Sequence, residues 1–142
     1  MPGQLMVSIK GVTLDISTRT RLSQSDVGGV ILFARNFASV DQLVILTGEI
    51  RSFKTPPLLI AVDQEGGRVR RVRQTNWPPM RWLGNIDDIS LTKKVIKGIN
   101  IELQSLGFNA NWAPCADVDS NPDNPIIGDR SFGRSADLCS KH

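Results

Sequence analysis

Short apolar runs alternate along this chain of 142 residues with longer segments that have the periodicity of helices. The apolar runs have the length of strands, and both of their faces are apolar, which is typical of a parallel sheet covered by helices. The alternation predicts an α/β fold of about four β/α units, arranged either as an open doubly wound sheet or as a (β/α) barrel. The predicted strands are Leu5–Gly11, Val27–Ala34, Leu58–Val62 and Phe108–Val118.

Two long segments have the apolar spacing of an amphipathic helix. The first, Ser39–Phe53, begins at a serine that can cap a helix and is followed by prolines that cannot continue one. The second, at 87–107, has a broad apolar face and ends at a glycine, the residue that favours a helix C-terminus. The connection at 63–86 is predicted to be irregular, and a last helix is predicted to begin near Ser135.

The composition predicts a soluble, cytoplasmic protein without a membrane partner. Hydrophobic residues make up 40% and charged residues 22% of the chain, as in globular domains, and the longest apolar runs are far too short to span a bilayer. Cys115 and Cys139 lack the spacing of a metal site or a disulfide framework, which favours a reducing compartment. The only histidine, His142, is the last residue, so no interior histidine is available for acid–base chemistry or metal binding. We expect no metal, and we also expect no cofactor.

Charged side chains cluster directly after the third predicted strand, beginning with Asp63 and Glu65. At a strand exit a carboxylate can accept hydrogen bonds from two neighbouring sugar hydroxyls, and arginine offers a rigid fork of donors. The same residues are compatible with an ion-pair network that only fixes the loop, with Glu65 closing onto Arg68. The residues alone leave both interpretations open. Gly66 and Gly67 predict a tight turn and not a phosphate loop, because no phosphate-binding glycine pattern is present.

A second group of carboxylates follows the fourth predicted strand. Asp117 lies at the strand exit and is a candidate site-lining residue, whereas Asp119 and Asp123 are interpreted as turn residues. A calcium loop is a weaker alternative, because the acidic spacing lacks the regular ligands and the closing glutamate of an EF-hand. The tryptophans offer flat faces for a sugar ring, although core packing is expected for at least two of them: Trp77, Trp82 and Trp112.

Four ordered motifs resemble one enzyme family. They are G-G-V-I-L-F-A-R-N at 28–36, A-V-D-Q-E-G-G-R-V-R-R at 61–71, F-N-A-N-W-A-P-C-A-D-V-D at 108–119 and N-P-I-I-G-D-R-S-F-G at 124–133. Together they closely resemble the N-terminal half of glycoside hydrolase family 3. Within that family, the similarity is greatest to the single-domain bacterial β-N-acetylhexosaminidases of peptidoglycan recycling.

This resemblance implies that residues 1–142 belong to the N-terminal half of a (β/α)8, or TIM, barrel domain. It also implies a retaining glycosidase that needs no metal and removes terminal β-linked N-acetylglucosamine from muropeptides in the cytoplasm. Three residues match family positions that bind the terminal sugar without breaking a bond. These substrate-binding residues are Asp63, Arg71 and Arg130.

The catalytic motifs of the family do not occur in the 142 residues, so no catalytic residue is assigned. The missing motifs are the K-H-F-P-G-H-G strand, the loop with the histidine acid/base, and the later strand with the aspartate nucleophile. Lys141 and His142 resemble the start of the first motif, but only ten residues separate Lys141 from Arg130, too few for a parallel crossover. A new catalytic pair of Asp63 and Asp117 is disfavoured, because the family assigns Asp63 to sugar binding.

We therefore expect a portion of the enzyme that is truncated at its C-terminus and inactive alone. One alternative is a non-catalytic sugar-binding fragment. Another is one half of a split enzyme, which pairs with a complementary C-terminal half or with a second copy of itself, since four β/α units leave two open sheet edges. A nucleic-acid partner is not expected, because the net charge is only +3 and the arginines belong to the sugar motif.

Overall fold

A computed structural model describes residues 3–142 of the chain. These residues form two compact units. The first unit contains the described residues up to Val62 together with Glu102–Asn111, and the second contains Asp63–Ile101 and Trp112–His142. None of the helices in this part of the chain is both long enough and apolar enough to cross a membrane.

The first unit is built on a four-stranded sheet in which all neighbouring strands are parallel. The strands follow one another in chain order across the sheet, as successive β/α units require. The four predicted strands and their parallel arrangement are confirmed. Their bounds are β1 Leu5–Ser8, β2 Val27–Leu32, β3 Leu59–Val62 and β4 Ala110–Asn111.

The fourth strand is much shorter than the segment Phe108–Val118 that is predicted for it. Only the two residues of β4 pair with β3, where they lie opposite Ala61 and Val62. Val62 is the last residue of β3, so the ladder has no partner strand beyond it. Pro114 also has no N–H group to donate to a ladder.

One face of the sheet carries the core of the first unit. The register aligns Val7, Val30 and Ile60 on this face, and these residues are 8%, 0% and 0% exposed. Two helices of the same unit, α1 Ile16–Leu22 and α2 Val40–Arg51, add further buried side chains. Burial contributes roughly 1.5–3 kcal/mol for each such aliphatic side chain. The buried apolar residues of the two helices are Leu22, Leu43, Leu46 and Ile50.

The opposite face of the sheet is partly open to solvent. On it the register aligns Met6, Gly29 and Leu59, and Leu59 is 50% exposed. Gly29 adds no side chain to this row, and a Cβ atom there would lie 2.8 Å from the end of Met6. On this second face, solvent reaches Met6 and Leu59, whereas Ala61 is fully buried.

Two short helices lie in segments where no helix is predicted. Helix α1 begins after Asp15, whose Oδ1 accepts a hydrogen bond from the Thr18 N–H (2.7 Å). Helix α3, Met80–Ile86, lies inside the connection that is predicted to be irregular. Each of them has seven residues, which is too short to display a repeated apolar period.

The two long helices agree with prediction. Ser39 caps α2, because its Oγ accepts a hydrogen bond from the Gln42 N–H (3.1 Å). Helix α4, Ile89–Ser105, is followed by Gly107, whose φ of 88° is the left-handed conformation expected after a helix C-terminus. The N–H of Phe108 then donates to the Leu103 carbonyl (3.0 Å), which satisfies one of the last carbonyls of the helix.

The second unit has a small core of its own, centred on the buried residues Met80, Leu83 and Phe132. The predicted last helix is confirmed as α5 Ala136–Lys141, and Ser135 caps it through a hydrogen bond from the Leu138 N–H (3.3 Å). This core is extended by half-buried side chains of α4 and α5. They are Leu91, Val95, Ile96 and Cys139.

Candidate functional site

The first pair of predicted site residues, Asp63 and Arg71, is brought together in the second unit. Asp63 directly follows the last residue of β3 in the chain, and its Oδ2 lies 3.1 Å from Nη2 of Arg71. The side chains are 23% and 26% exposed, so the pair is shielded but reachable from solvent. A single contact of this length fixes neither group as firmly as a two-bond fork would.

A buried glutamine sets the position of Arg71. Gln64 is fully buried, and its Oε1 accepts hydrogen bonds from the N–H groups of Arg71 (2.8 Å) and Val72 (3.0 Å). Its Nε2 donates to the Val72 carbonyl (2.9 Å). The side-chain amide therefore binds the backbone as a peptide group of a neighbouring strand would, and it holds Arg71 beside Asp63.

The two glycines of the motif form the predicted tight turn. Gly66 and Gly67 have φ values of 93° and 56°, in the left-handed region that disfavours other residues. A Cβ atom at Gly66 would lie 2.2 Å from the Pro78 carbonyl oxygen, so this turn also has no room for a side chain. The turn reverses the chain between Glu65 and Val69, which join through a hydrogen bond of 2.9 Å.

The third predicted site residue, Arg130, is bound by Glu65. Its Nε lies 2.9 Å from Oε2 and its Nη2 lies 2.8 Å from Oε1, a two-bond fork on a carboxylate that is 6% exposed. The hydrogen bonds with Glu65 raise the pKa of the Arg130 guanidinium above its usual range. Asp117 and Cys115 lie near enough to add to the same shift in pKa.

The expected closure of Glu65 onto Arg68 is wrong. Arg68 instead donates to Oδ1 of Asp129 (2.8 Å) and to the carbonyl oxygens of Ile126 (2.6 Å) and Ile127 (3.1 Å). The physical reason is that Arg130 supplies a planar fork to the buried carboxylate. The side chain of Arg68 is 46% exposed, and it binds the segment 126–129 on its solvent-facing side.

Asp117 is exposed and lies close to Arg130. Its Oδ2 accepts a hydrogen bond from the Cys115 thiol (3.2 Å), and burial raises the pKa of that thiol. Its backbone carbonyl accepts a hydrogen bond from Oγ of Ser131 (2.6 Å), the residue that follows Arg130. This position is compatible with the site-lining role predicted for Asp117.

One buried donor in the site has no partner. Within residues 3–142, Nε of Arg71 is a buried side-chain nitrogen that makes no hydrogen bond. An unsatisfied buried donor costs about 1–3 kcal/mol, so it is normally paired with a ligand, a water molecule or another residue. Nη2 of the same guanidinium lies 3.1 Å from Oδ2 of Asp63, and this pair suits a ligand that offers both a hydroxyl donor and an oxygen acceptor.

A buried ion pair of the second unit is missed by sequence reasoning. Asp119, interpreted as a turn residue, is 4% exposed and binds Nη2 of Arg81 (2.7 Å) and Nε of Arg134 (3.4 Å). The same Arg81 donates to the carbonyl oxygens of Gly128 (3.1 Å) and Ser131 (3.3 Å). Arg81 lies 38 residues before Asp119, and no spacing rule connects positions that far apart.

The expectation that at least two tryptophans pack in the core is wrong. Trp82 is 46% exposed and Trp112 is 60% exposed, so both present free aromatic faces. Trp77 is half-buried and lies against Gly98, where an added Cβ atom would meet its ring at 2.4 Å. The short helix α3 buries only Met80, Leu83 and Gly84, which leaves Trp82 on its outer side.

The described residues offer no evident place for a metal ion. Across 3–142, no three or more histidine, cysteine, aspartate or glutamate side chains come together in a group that could hold one. The arrangement is instead a set of carboxylate–guanidinium pairs with spare hydrogen-bonding capacity. Such groups recognise hydroxyls, carbonyls and other neutral polar ligands.

Comparisons with known proteins place this arrangement in context. The sequence profile described as "Glycosyl hydrolase family 3 N terminal domain" matches residues 3–141. A beta-hexosaminidase of Nitrosomonas eutropha is 44% identical over 147 residues, which cover 98% of this chain and 42% of the relative. A beta-hexosaminidase of Neisseria meningitidis serogroup B is 38% identical over 148 residues, which cover 98% of this chain and 41% of the relative.

Solved structures give a similar result. NagZ from Neisseria gonorrhoeae in complex with N-trifluoroacetyl-D-glucosamine superposes with a TM-score of 0.89 at 37% identity, covering 98% of this chain and 44% of that one. A β-N-acetylglucosaminidase from Paenibacillus superposes with a TM-score of 0.91 at 38% identity, covering 98% of this chain and 28% of that one. The chain thus spans about two fifths of the length of these curated relatives. The predicted fold class, half of a (β/α)8 barrel, is confirmed.

Proposed function

This chain belongs to glycosyl hydrolase family 3, and we propose that its residues form the part of a β-N-acetylhexosaminidase that holds the terminal sugar. The observation that carries the proposal is the Asp63–Arg71 pair, whose side chains are 23% and 26% exposed and can therefore be reached by a ligand. The names of the relatives support the class of sugar, since they are beta-hexosaminidases. One structural neighbour contains a glucosamine derivative.

Each proposed sugar contact has a chemical reason. The Asp63 carboxylate accepts hydrogen bonds from hydroxyls of the sugar ring, and the exposed part of the Arg71 guanidinium donates to a ring substituent. Arg130 is held by Glu65 through two of its five N–H groups and donates a third to the Ile126 carbonyl (3.2 Å). Its remaining donors and the nearby carboxylate of Asp117 line the same site.

In the reaction of the whole enzyme, these residues bind and orient the sugar and break no bond. A retaining glycosidase needs a nucleophile and an acid/base on opposite sides of the glycosidic bond. Neither role is assigned to a residue of these 142. We propose that the complete enzyme hydrolyses terminal β-linked N-acetylglucosamine from cytoplasmic muropeptides during peptidoglycan recycling.

Sugar binding is tested by titrating the purified chain with N-acetylglucosamine and following the binding by NMR. We expect a dissociation constant in the millimolar range or below, and at least about a tenfold loss in Asp63→Ala, the effect of a hydrogen bond to a charged group. Asp123→Ala is the matched control, because Asp123 is exposed and lies in the same unit. A folded chain that does not bind, or an equal effect of the two substitutions, would refute the proposal.

Catalysis is tested separately with a chromogenic N-acetylglucosaminide. We expect no turnover above background from the 142 residues alone, because they bind the sugar without supplying the nucleophile or the acid/base. Turnover that is lost in a variant of this chain would show that our assignment of roles is wrong.

A second proposal concerns the partner of the sheet. The half-exposed row of Met6, Gly29 and Leu59 favours pairing of this chain, either with a complementary C-terminal half or with a second copy. β1 and β4 are the edge strands of the sheet, and an edge strand is a template for the addition of another strand.

A further inference from the structure

We propose that Arg81 is a positioning residue for Arg130, because it holds the backbone on both sides of that arginine. This inference rests on the proposed role of Arg130 in sugar binding. The guanidinium of Arg81 donates through Nη2 to the Gly128 carbonyl (3.1 Å) and through Nε to the Ser131 carbonyl (3.3 Å). Gly128 and Arg130 are the two ends of a short 3₁₀ turn, and Ser131 follows it.

Arg81 is itself fixed by a buried carboxylate. Oδ2 of Asp119 lies 2.7 Å from its Nη2, and the Asp119 side chain is only 5% exposed. A planar guanidinium that is oriented by one such contact has its other donors fixed in direction as well. The carboxylate of Asp119 therefore aims the two N–H groups that bind the turn.

The backbone and the side chain of Arg130 are held by different residues. Arg81 contacts the carbonyls around Arg130, whereas Glu65 binds its guanidinium. The turn has little intrinsic order, since it is three residues long and starts at Gly128 with a φ of 46°. Loss of Arg81 would release the turn while Glu65 remained in place, and the fork between Arg130 and Glu65 would then lose its alignment.

The chain contains a matched control for this contact. Arg134 binds the same Oδ2 of Asp119 at 3.4 Å, but it is 65% exposed. This contact of Arg134 with Asp119 does not involve a carbonyl group of residues 128–131. A variant of Arg134 therefore disturbs the same carboxylate without removing the two backbone contacts.

The test uses the Nε–H of Arg130, which donates to Glu65 and reports directly on the fork. Its NMR signal is assigned by its loss in Arg130→Lys, and its hydrogen exchange with solvent is measured in the folded chain. In Arg81→Met we expect exchange to accelerate at least about tenfold, as the loss of a charged hydrogen-bond network implies. In Arg134→Ala we expect a change of less than about twofold, since exposed ion pairs contribute little.

Arg81→Lys provides a second variant that keeps the positive charge but lacks the planar fork. We expect the same acceleration, whereas a purely electrostatic role would give wild-type exchange in this variant. Unchanged exchange in Arg81→Met, or global unfolding of both Arg81 variants, would overturn the positioning role.

The exchange measurement does not require bound sugar. A wild-type chain that fails to bind N-acetylglucosamine would therefore refute the proposed function without affecting the test of Arg81. If the sugar does bind, Arg81→Met is expected to weaken its binding about tenfold and Arg134→Ala is not.

Discussion

Asp63 and Glu65 lie two residues apart in one loop, yet their environments differ. Glu65 is 6% exposed and both of its oxygens bind Arg130, whereas Asp63 is 23% exposed and makes one contact of 3.1 Å with Arg71. A carboxylate with two short bonds to a guanidinium has little capacity left for a ligand. Asp63 is therefore the residue that can still bind a ligand, whereas Glu65 fixes the position of Arg130.

The first prediction concerns the contribution of Glu65 to stability. We expect Glu65→Gln to lower the free energy of unfolding by about 2–3 kcal/mol, below the value for a fully buried pair because Arg130 is 25% exposed. Urea denaturation measures the change. The control is Asp129→Asn, which breaks the exposed pair with Arg68 and is expected to cost less than about 1 kcal/mol. Equal losses in the two variants would contradict the difference in burial.

The second prediction concerns Asp119 and pH. The hydrogen bond from Arg81 is the main cause that holds the pKa of Asp119 below its ordinary value of 3.8, against the opposing effect of burial. A carboxyl group whose pKa is lowered in the folded state stabilises the fold above the unfolded pKa, and this stabilisation is lost as the pH falls through the folded value.

The difference in the free energy of unfolding between wild type and Asp119→Asn is therefore expected to have its maximum value at pH 6 and to decrease as the pH falls below about 4. Chemical denaturation at a series of pH values measures it. A difference that stays constant down to pH 3 would show that the charge of Asp119 contributes nothing.

At the scale of single residues, contacts between residues that are close in the sequence could be predicted, and contacts between distant residues could not. The tight turn at Gly66 and Gly67 follows from local backbone chemistry. The proximity of Asp63 to Arg71 follows from one short motif, since the two residues are only eight positions apart in the sequence. The pairing of Arg81 with Asp119 depends on how the second unit packs, and no local signal predicts it.

Among the elements, α5 has six residues and is too short to be stable without tertiary contacts. His142, the residue after it, supplies several. Its ring is fully buried and stacks on Phe132 with centroids 5.0 Å apart, and its Nδ1 lies 2.8 Å from Oγ1 of Thr92. The Lys141–His142 pair thus has a packing role in this structure, at the C-terminal end of α3, where both residues contact Asp87.

The third prediction follows from this contact. His142→Ala is expected to lower the free energy of unfolding by about 1–3 kcal/mol, because it removes a buried ring and leaves a cavity. Amide hydrogen exchange should accelerate most in α5. Lys141→Ala is the control, since its ion pair with Asp87 is 48% exposed on both sides and is worth less than about 1 kcal/mol. An equally small effect of both substitutions would show that the ring does not hold the helix.

The length of the two long helices made them predictable. The helices α2 and α4 have 12 and 17 residues, enough for their apolar faces and their caps to appear in the sequence. The seven-residue helix α1 buries only Leu22, so its periodicity is absent from the sequence. The length of the fourth strand was overestimated. The apolar composition of residues 108–118 continues past Asn111, but β3 has no further residue with which they could pair.

For the whole molecule, the open sheet face raises the question of what covers it. Family membership and the parallel order of the strands were predictable, because four motifs and the alternation of elements lie within these residues. The division into two compact units was not, since it depends on which contacts dominate after folding. That residues 1–142 act as one part of a barrel domain stays a prediction.

The fourth prediction tests the open face. We expect the purified chain to self-associate at concentrations of about 10–100 μM, a weak association typical of a partly apolar surface. Leu59→Glu should shift it toward the monomer in analytical ultracentrifugation, because the charge opposes burial of the row. Ile45→Glu is the control: Ile45 is 70% exposed, but it lies on α2. A monomeric wild type, or an equal shift by both variants, would exclude the face as a contact surface.

The buried amide of Gln64 has a consequence for the chemical ageing of the protein. One atom of that group must donate to the Val72 carbonyl while the other accepts from two backbone N–H groups. Deamidation would turn the donor into a second acceptor and direct an oxygen against the Val72 carbonyl, inside a site without solvent to screen the charge. Hydrolysis of one side-chain amide would then loosen the segment that carries Arg71 while the rest of the sequence stayed intact.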